Sequence, residues 1–167
     1  ERISKFFNMI KDILEERKEL FRGGNYSQYV QMHGVTLPAI LIFIDNYASF
    51  KEKTQEAYEE IVITLSKEGV GHGIFLIVSG GGIGTNDITS RVSENITASL
   101  CLQLQDRFAY IDFLHRNQID VMPESGMKGR GLADCEGRVL EYQTALSVKA
   151  ENDYQRMELI RTKCEEM

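Results

Sequence analysis

Apolar residues recur at helical spacing through residues 3–21, and two glycines end the pattern. Lysine and glutamate fill most of the remaining positions, so one side of this segment is polar. The spacing predicts an amphipathic helix of about five turns, followed by a shorter helix over residues 27–32. The apolar positions are Ile3, Phe6, Phe7, Ile10, Ile13, Leu14, Leu20 and Phe21.

Two uninterrupted apolar runs follow, at residues 39–44 and 74–78. A run without alternation predicts a strand that is covered on both faces, as in a parallel sheet. Residues 51–67, between the runs, carry apolar side chains on one helical face and predict a helix. Strand, helix and strand form a βαβ unit with a right-handed crossover.

Polar residues follow both predicted strands, Asp45 after the first and Ser79 after the second. The carboxyl ends of parallel strands meet at one edge of a sheet. We therefore expect the two Cα atoms within about two strand spacings, roughly 10 Å, of each other.

The second half of the chain is predicted as short elements separated by glycines. Thr85, Asn86 and Asp87 are good N-cap residues, so a helix is expected to begin there. Later glycines favour a hairpin over a helix. The predicted elements are a loop at residues 80–84, a helix at 85–94, a third strand at 98–104, a helix at 108–116, a hairpin of 131–135 with 139–144, and a helix at 150–164.

The composition is that of one globular domain over residues 1–167, in which 43% of the residues are hydrophobic, 26% are charged and only 2 are proline. Collagenous and largely disordered chains are excluded. The predicted fold class is α/β, with a mostly parallel sheet between helices and a C-terminal β-hairpin. The net charge of -6 opposes contact with a phosphate backbone, so DNA binding is disfavoured.

Cysteine and histidine spacing predicts neither a disulfide framework nor a metal site. The 3 cysteines contain no CxxC pair, and the 3 histidines show no HExxH spacing. The longest apolar run is far shorter than the roughly 20 residues of a membrane helix, so we expect a soluble unit. Because the sequence opens on Glu1 instead of Met, we also expect it to be a piece of a longer polypeptide.

Asp45 is the first candidate for chemistry, because ligands of open α/β sheets bind beyond the carboxyl ends of the strands. An apolar strand that ends in aspartate is the Walker B arrangement, in which the carboxylate holds the Mg²⁺ of a nucleotide. A strand-ending aspartate is also common as a helix or turn cap, and both interpretations stay open on spacing alone.

Two other segments have a structural and a functional interpretation. The loop at residues 80–84 is either a turn without a ligand or an anion site, built from its amides and the helix start at Thr85. Arg130, with Lys128 and Arg138 nearby, marks either a hairpin tip with solvated charges or a contact to another subunit or a nucleotide base.

The segment ERKELFRGGNYSQYVQMHGVTLPAILIFIDNYASF resembles the FtsK/SpoIIIE family of ring ATPases, in which an apolar strand ends in Asp-Glu and an aromatic residue. GHGIFLIVS is similar to the sensor strand of that family. GMKGRGLADCEGRVLEYQTAL is similar to segments of its type VII secretion branch, the EssC/EccC-type membrane ATPases. The resemblance covers roughly residues 3–146 and implies a RecA-like fold that lacks the P-loop portion.

Carried over residue by residue, the resemblance implies a degenerate nucleotide site. Asp45 keeps the place of the magnesium-binding aspartate. Asn46 replaces the catalytic glutamate, and an amide cannot act as a general base. The nucleotide and magnesium contacts are thus Asp45, Asn46 and Ser79, the possible subunit contacts are Arg130 and Arg138, and no catalytic residue or metal ligand beyond these is assigned.

Other family positions are also lost. Gly80 and Gly81 stand where the family has Thr-Gln, Ser99 stands where it has an arginine, and residues 109–111 replace its Asp-Ser-Arg. The sequence contains no GxxxxGK[ST], and no lysine lies near the SGGGIG loop, so that loop is not a disguised P-loop. The chain by itself is therefore expected to show no ATPase activity.

The resemblance implies two alternative functions. The first is a non-hydrolysing module that structures the ring of a type VII protein secretion machine and receives its substrates. The second is part of an active protein or DNA translocase whose Walker A segment lies upstream of Glu1. ATP and Mg²⁺ are implied for the longer parent and not for this piece. The implied partners are other ATPase domains of the same chain, secreted helical proteins and further copies in a ring, with DNA unlikely, at the cytoplasmic face of the cell membrane.

Overall fold

The computed structural model describes residues 1–84, 86–135 and 137–166. The chain divides into two compact units, Glu1–Thr97 and Ala98–Met167. Each unit contains its own cluster of buried hydrophobic residues.

The first unit contains two strands and most of the helices, close to the predicted positions. The long amphipathic helix, the short second helix and both apolar strands are confirmed, with bounds that shift by one residue at most. The elements are α1 (Arg2–Phe21), α2 (Tyr26–His33), β1 (Ile40–Ile44), α3 (Tyr47–Thr54), α4 (Glu59–Glu68), a 3-10 turn (Val70–His72), β2 (Ile74–Val78) and α5 (Ser90–Ser93).

The region predicted as one helix over residues 51–67 forms two helices, so that prediction is wrong. Gln55 and Glu56 have φ angles of 51° and 58°, in the left-handed region. Two successive left-handed residues cannot continue a right-handed helix. The amide of Gln55 instead donates to the Glu52 carbonyl at 3.2 Å, which closes α3 before α4 begins.

Strands β1 and β2 pair in parallel and in register, from Ile40 opposite Ile74 to Ile44 opposite Val78, as predicted. The core of this unit joins residues of both strands to α1, α4 and α5. The prediction that the first strand is covered on both faces is wrong, because 68% of Phe43 remains exposed. The helices that pack in this core cover only one face of β1.

A buried arginine holds the amino ends of both strands. Nη1 of Arg17 donates to the carbonyls of His72 at 2.7 Å and Gly73 at 3.1 Å, and Nη2 donates to the carbonyl of Pro38 at 2.8 Å. Its guanidinium carbon lies 5.8 Å from the centroid of the Tyr26 ring. Burial lowers the pKa of Arg17, but a guanidinium stays protonated, and these carbonyls replace its lost hydration.

Gly73 makes the close approach between β2 and α2 possible. Its φ angle of 71° disfavours any residue with a side chain, and an added Cβ would lie 2.5 Å from the Tyr26 ring. The Tyr26 hydroxyl in turn donates to the Leu37 carbonyl at 2.9 Å, just before β1.

The second unit contains a three-stranded antiparallel sheet in the order β3-β4-β5. The predicted third strand is present but shorter, and it pairs antiparallel with the first strand of the predicted hairpin. Gly131 lies at this pairing, where an added Cβ would lie 2.1 Å from the Cys101 carbonyl. The elements are β3 (Leu100–Leu102), α6 (Arg107–Phe113), β4 (Arg130–Cys135), β5 (Arg138–Gln143) and α7 (Asp153–Glu165).

Helix α7 begins at Asp153 instead of residue 150, because the Asn152 side chain caps it by accepting from the Gln155 amide at 2.8 Å. The helix contains no buried residue. Among the described parts of the chain, no helix is long and apolar enough to span a membrane.

Candidate functional site

Asp45 and Ser79 lie side by side at the carboxyl edge of β1 and β2. The parallel ladder continues past the strands, because the Ser79 amide donates to the Ile44 carbonyl at 3.1 Å and the Tyr47 amide donates to the Ser79 carbonyl at 2.8 Å. The Ser79 hydroxyl donates to Oδ1 of Asp45, and both residues are exposed. Neighbouring strands are roughly 5 Å apart, so the predicted placement of these two residues is confirmed.

Asn46 has a structural role of its own, as the N-cap of α3. Its backbone is extended, and its Oδ1 accepts a hydrogen bond from the Ser49 amide at 3.2 Å. Asparagine is among the best N-cap residues, because its short side chain satisfies a donor that the first helical turn leaves unpaired. The side chain that follows Asp45 is thus a helix cap, and it offers no base for proton transfer.

Tyr47 anchors this segment to the core. Its side chain is fully buried, and its ring lies 6.2 Å from that of Phe50. Burial raises the pKa of Tyr47 to about 12, and the negative charges of Glu59 and Glu56 act in the same direction. Its interaction with the Thr89 side chain acts in the opposite direction and is the weaker influence. The exposed pair Asp45 and Asn46 is therefore held between a paired strand and a buried aromatic ring.

The glycine loop after Ser79 is closed by residues of the chain itself. The Gly81 amide donates to Oδ1 of Asp87 at 3.3 Å, and the Gly84 amide donates to the Ile88 carbonyl at 3.0 Å. A loop amide thus already has a carboxylate partner, which supports the interpretation as a turn over that as an anion site. The predicted helix start is wrong for Asn86 and Asp87, because α5 begins only at Ser90, and Thr85 lies outside the described residues.

The edge offers one carboxylate and one hydroxyl to a cation. Mg²⁺ binds few protein ligands and keeps water or phosphate oxygens in its remaining positions, so Asp45 and Ser79 suit such an ion. The described residues contain no group of three or more His, Cys, Asp or Glu side chains that could hold a metal without a nucleotide. Residues at this edge therefore fit the magnesium contact of a nucleotide site, but not an independent metal site.

The two predicted basic contacts lie in the second unit. Arg130 is the first residue of β4, at the end of the hairpin away from its turn, so the expectation that it marks the hairpin tip is wrong. Its guanidinium lies 3.6 Å from Glu141 and 3.8 Å from Glu124. Arg138 is exposed at the start of β5, next to the hairpin turn. A role of either residue in subunit contacts stays a prediction.

Sequence reasoning missed two residues that shape the edge. Tyr47 is the aromatic residue that follows Asp45 and Asn46 in the sequence, but nothing in the spacing of apolar residues shows that it is fully buried. The sequence predicts Asp87 as a helix cap, whereas its carboxylate accepts from the amide of Gly81 six residues earlier. Both contacts depend on how the loops return to the sheet.

Ser99 and Tyr110, which stand at positions where the resemblance implies other family residues, contribute to the fold of the second unit. The Tyr110 hydroxyl accepts from the Leu104 amide at 2.8 Å inside the core. The Ser99 carbonyl accepts from the Asp134 amide at 3.0 Å beside β4.

Most of this chain is similar in sequence to proteins of known families. No family profile matches the chain. The type VII secretion system protein EssC of Staphylococcus aureus strain MRSA252 is 34% identical over 142 residues, which cover 83% of this chain and 9% of that protein. The chain is homologous to the EssC/EccC type VII secretion ATPases. It spans about a tenth of the length of the relatives it matches.

Solved structures show the same fold. ATPases 2 and 3 of EssC from Geobacillus thermodenitrificans superpose with a TM-score of 0.76 at 22% identity, over 98% of this chain and 31% of theirs. The pCW3 conjugation coupling protein TcpA, solved with ATPγS, gives a TM-score of 0.68 at 20% identity, over 95% of this chain and 48% of that one. The predicted RecA-like α/β fold, with its parallel strands and C-terminal hairpin, is confirmed.

Proposed function

We propose that this chain is a degenerate FtsK/SpoIIIE-type domain that structures the ring of a type VII secretion ATPase and docks its substrates without hydrolysing ATP. It acts as part of a longer, membrane-anchored polypeptide on the cytoplasmic side. Its partners are the other ATPase domains of that polypeptide, further copies in the ring, and secreted helical proteins.

The proposal rests on Asn46, whose side chain is an amide and caps helix α3. Hydrolysis of a nucleoside triphosphate needs a residue that orients or activates the attacking water. An amide has no proton-accepting role at any accessible pH, and this one already accepts the Ser49 amide as a helix cap. The residue beside Asp45 thus contributes to folding at the place where an active site needs a carboxylate.

Nucleotide binding in the longer polypeptide is compatible with this proposal. Asp45 and Ser79 would contact Mg²⁺, which neutralises charge on the β- and γ-phosphates when bound. A bound and unhydrolysed nucleotide would stabilise the domain and the ring contacts that it touches, since any ligand of the native state stabilises that state.

Docking of substrates is supported by charge and by exposed apolar surface. The net charge of -6 disfavours polyphosphate partners. Helix α7 exposes Tyr154 and Met157 to 73% and 64%, and such side chains can pack against an amphipathic helix of a secreted protein. We therefore propose that the partners are helical proteins rather than DNA.

A second candidate is a part of an active translocase whose Walker A segment lies elsewhere in the polypeptide. The retained pair of Asp45 and Ser79 favours it, since a magnesium contact is of most use where ATP turns over. The two candidates differ in the role of Asn46, which is a lost base in the first and a tolerated variation in the second.

Phosphate release from Mg-ATP tests the proposal, first on this chain and then on the longer polypeptide that contains it. We expect background release from the chain, and no dependence on Asp45 when Asp45→Asn is compared with the unchanged protein. In the longer polypeptide, Asp45→Asn and Asn46→Ala should leave the turnover number unchanged. Loss of turnover with Asp45→Asn would support the active translocase instead.

Partner class is tested by titration at about 150 mM salt, where weak phosphate contacts are largely lost. A labelled helical peptide from a secreted substrate should bind more tightly than a labelled DNA duplex of similar length. Tighter binding of the duplex would contradict the docking proposal and leave the ATPase result unaffected.

A further inference from the structure

Tyr47 contacts the residues on both sides of the glycine loop that follows β2. Its amide donates to the carbonyl of Ser79, just before the loop, at 2.8 Å. Its side-chain hydroxyl interacts with the side chain of Thr89, just after the loop. One residue of the segment after β1 is therefore in contact with both ends of residues 80–88.

The two hydroxyl groups of this contact are buried. Neither Oη of Tyr47 nor Oγ1 of Thr89 is open to solvent, and neither has another hydrogen-bond partner among the described residues. A buried hydroxyl without a partner destabilises a protein, so native structures pair nearly all such groups. The group available to each of these hydroxyls is the other one.

Thr89 has the position of a helix cap but not its usual contact. It is the N-cap of α5, where a threonine hydroxyl commonly accepts from an amide of the first turn. The Thr89 side chain makes no such hydrogen bond. Its hydroxyl is thus left for the contact with Tyr47.

The core fixes the position of Thr89. Ile88 before it and Val92 after it are buried in the core of the first unit. Arg91 donates to both carboxylate oxygens of Glu60 in α4, at 2.8 and 3.3 Å. The end of the glycine loop is therefore a fixed point, to which a second residue can be tied.

Backbone contacts fold the loop back on itself between these two ends. The Gly84 amide donates to the Ile88 carbonyl at 3.0 Å, and the Ile88 amide donates to the Gly82 carbonyl at 3.4 Å. A Cβ added to Gly80 would lie 3.1 Å from the Ile88 side chain, so the start of the loop packs closely on its end.

We propose that Tyr47 is a positioning residue for this loop, and that a buried hydrogen bond between the hydroxyls of Tyr47 and Thr89 holds the loop closed next to Asp45 and Ser79. Without this hydroxyl pair, the loop would keep only its own backbone contacts and its attachment at Ser79. A ligand at Asp45 and Ser79 would meet a loop of fixed shape, and this consequence alone rests on the proposed function.

Amide hydrogen exchange of the chain, without any nucleotide, tests the hydroxyl pair. Tyr47→Phe removes only the phenolic oxygen, and Thr89→Val replaces the hydroxyl with a methyl group of similar size. In each variant we expect the Gly84 amide to exchange about five- to ten-fold faster, as for the loss of one hydrogen bond that holds the loop closed.

Tyr58→Phe is the matched control, because it removes a tyrosine hydroxyl from the same core at a distance from the loop. The Tyr58 hydroxyl contacts Oγ of Ser4 at 2.6 Å, and its loss weakens the packing of α1. A loop opens without unfolding of the core, so a change in overall stability alone does not accelerate exchange of the Gly84 amide. The control should therefore leave that rate unchanged.

The double variant shows whether the two hydroxyls act together. Because they are proposed to bond each other, Tyr47→Phe combined with Thr89→Val should exchange no faster at Gly84 than the faster single variant. Multiplied effects of the two changes would overturn the proposal. So would an unchanged rate at Gly84 in either single variant, or an equal acceleration by Tyr58→Phe. None of these results depends on ATP, so the hydroxyl pair and the proposed function can fail separately.

Discussion

The two ends of the β1–β2 pair are built in opposite ways. At the amino ends, the buried guanidinium of Arg17 donates to three backbone carbonyls, and Gly73 packs against an aromatic ring. At the carboxyl ends, Asp45 and Ser79 are exposed and contact each other. The same two strands thus have a closed end and an open end.

The difference shows that the residues that stabilise the strand pair and the residues that are free to bind a ligand lie at opposite ends of it. The Arg17 guanidinium at the closed end is buried and donates to carbonyls of the protein, so a change there leaves a buried group unpaired. Polar groups at the open end keep water as an alternative partner, so they can exchange it for a ligand. Substitutions should therefore destabilise the protein more at the amino ends than at the carboxyl ends.

The largest effect is expected from Arg17→Met. The change removes all the hydrogen bonds of a buried cation and leaves three carbonyls without that donor, and it should lower the free energy of unfolding by about 3 kcal/mol. Urea unfolding followed by far-UV circular dichroism measures the loss. Lys18→Met is the control, since Lys18 forms only surface ion pairs with Glu15 and Glu68, each worth at most about 1 kcal/mol. Equal losses in both variants would contradict the closed-end interpretation.

Gly73→Ala, at the same end of the strand pair, should lower the free energy of unfolding by a smaller amount. The new Cβ meets the Tyr26 ring and strains a backbone with a φ angle of 71°, so we expect a loss of about 2 kcal/mol. Gly71→Ala is the matched control two residues away, because a Cβ there meets nothing within 4 Å. If thermal unfolding midpoints show the two variants alike, the packing of Tyr26 on Gly73 is not a stabilising contact.

Alkaline pH should weaken the segment that supports the open end. The pKa of Tyr47 is about 12 in the folded chain, against an ordinary value of 10.0. The unfolded chain therefore loses the Tyr47 proton first, and stability present below pH 10 should fall as the pH rises toward 12. The loss attributable to this residue is of the order of 2 kcal/mol.

Absorbance of phenolate as a function of pH measures this titration, and Tyr47→Phe identifies the residue. The variant should lack the late transition and lose less stability between pH 10 and 12. If the variant instead lacks one tyrosine's share of the phenolate absorbance near pH 10, Tyr47 titrates like an exposed phenol and the prediction is wrong.

The smallest loss is expected at the open end, from Asn46→Ala. Removing the N-cap of α3 should cost about 1 kcal/mol, whereas Asn46→Asp keeps an acceptor for the Ser49 amide and should be nearly neutral. Asn46→Glu introduces the carboxylate that the resemblance implies for this position, but we expect no phosphate release from Mg-ATP. A loss larger than that of Gly73→Ala would reverse the comparison between the two ends.

Much of the fold could be predicted because local patterns dictate it. The spacing of apolar residues in α1, the uninterrupted runs of β1 and β2, and the glycines around the hairpin depend on neighbours along the chain. Asp45 and Ser79 were placed correctly for the same reason, since two apolar runs joined by a helical crossover put their carboxyl ends together.

Contacts between distant residues were not predictable from these patterns. The break at Gln55 and Glu56 lies in a segment whose apolar residues have the spacing of one continuous helix. Arg17 sits on an amphipathic helix where a charged residue indicates solvent, and only the return of both strands beneath it supplies the carbonyls that bury it.

The sequence by itself therefore determined the long first helix, the two parallel strands, the hairpin and the residue types at the carboxyl edge. Tertiary structure alone decided which of those groups are already used. The Asn46 amide caps a helix, the Asp87 carboxylate closes a loop, and Arg130 lies beside two glutamates. The physical reason is that a hydrogen bond depends on distance in space, and residues far apart in sequence meet only when the chain has folded.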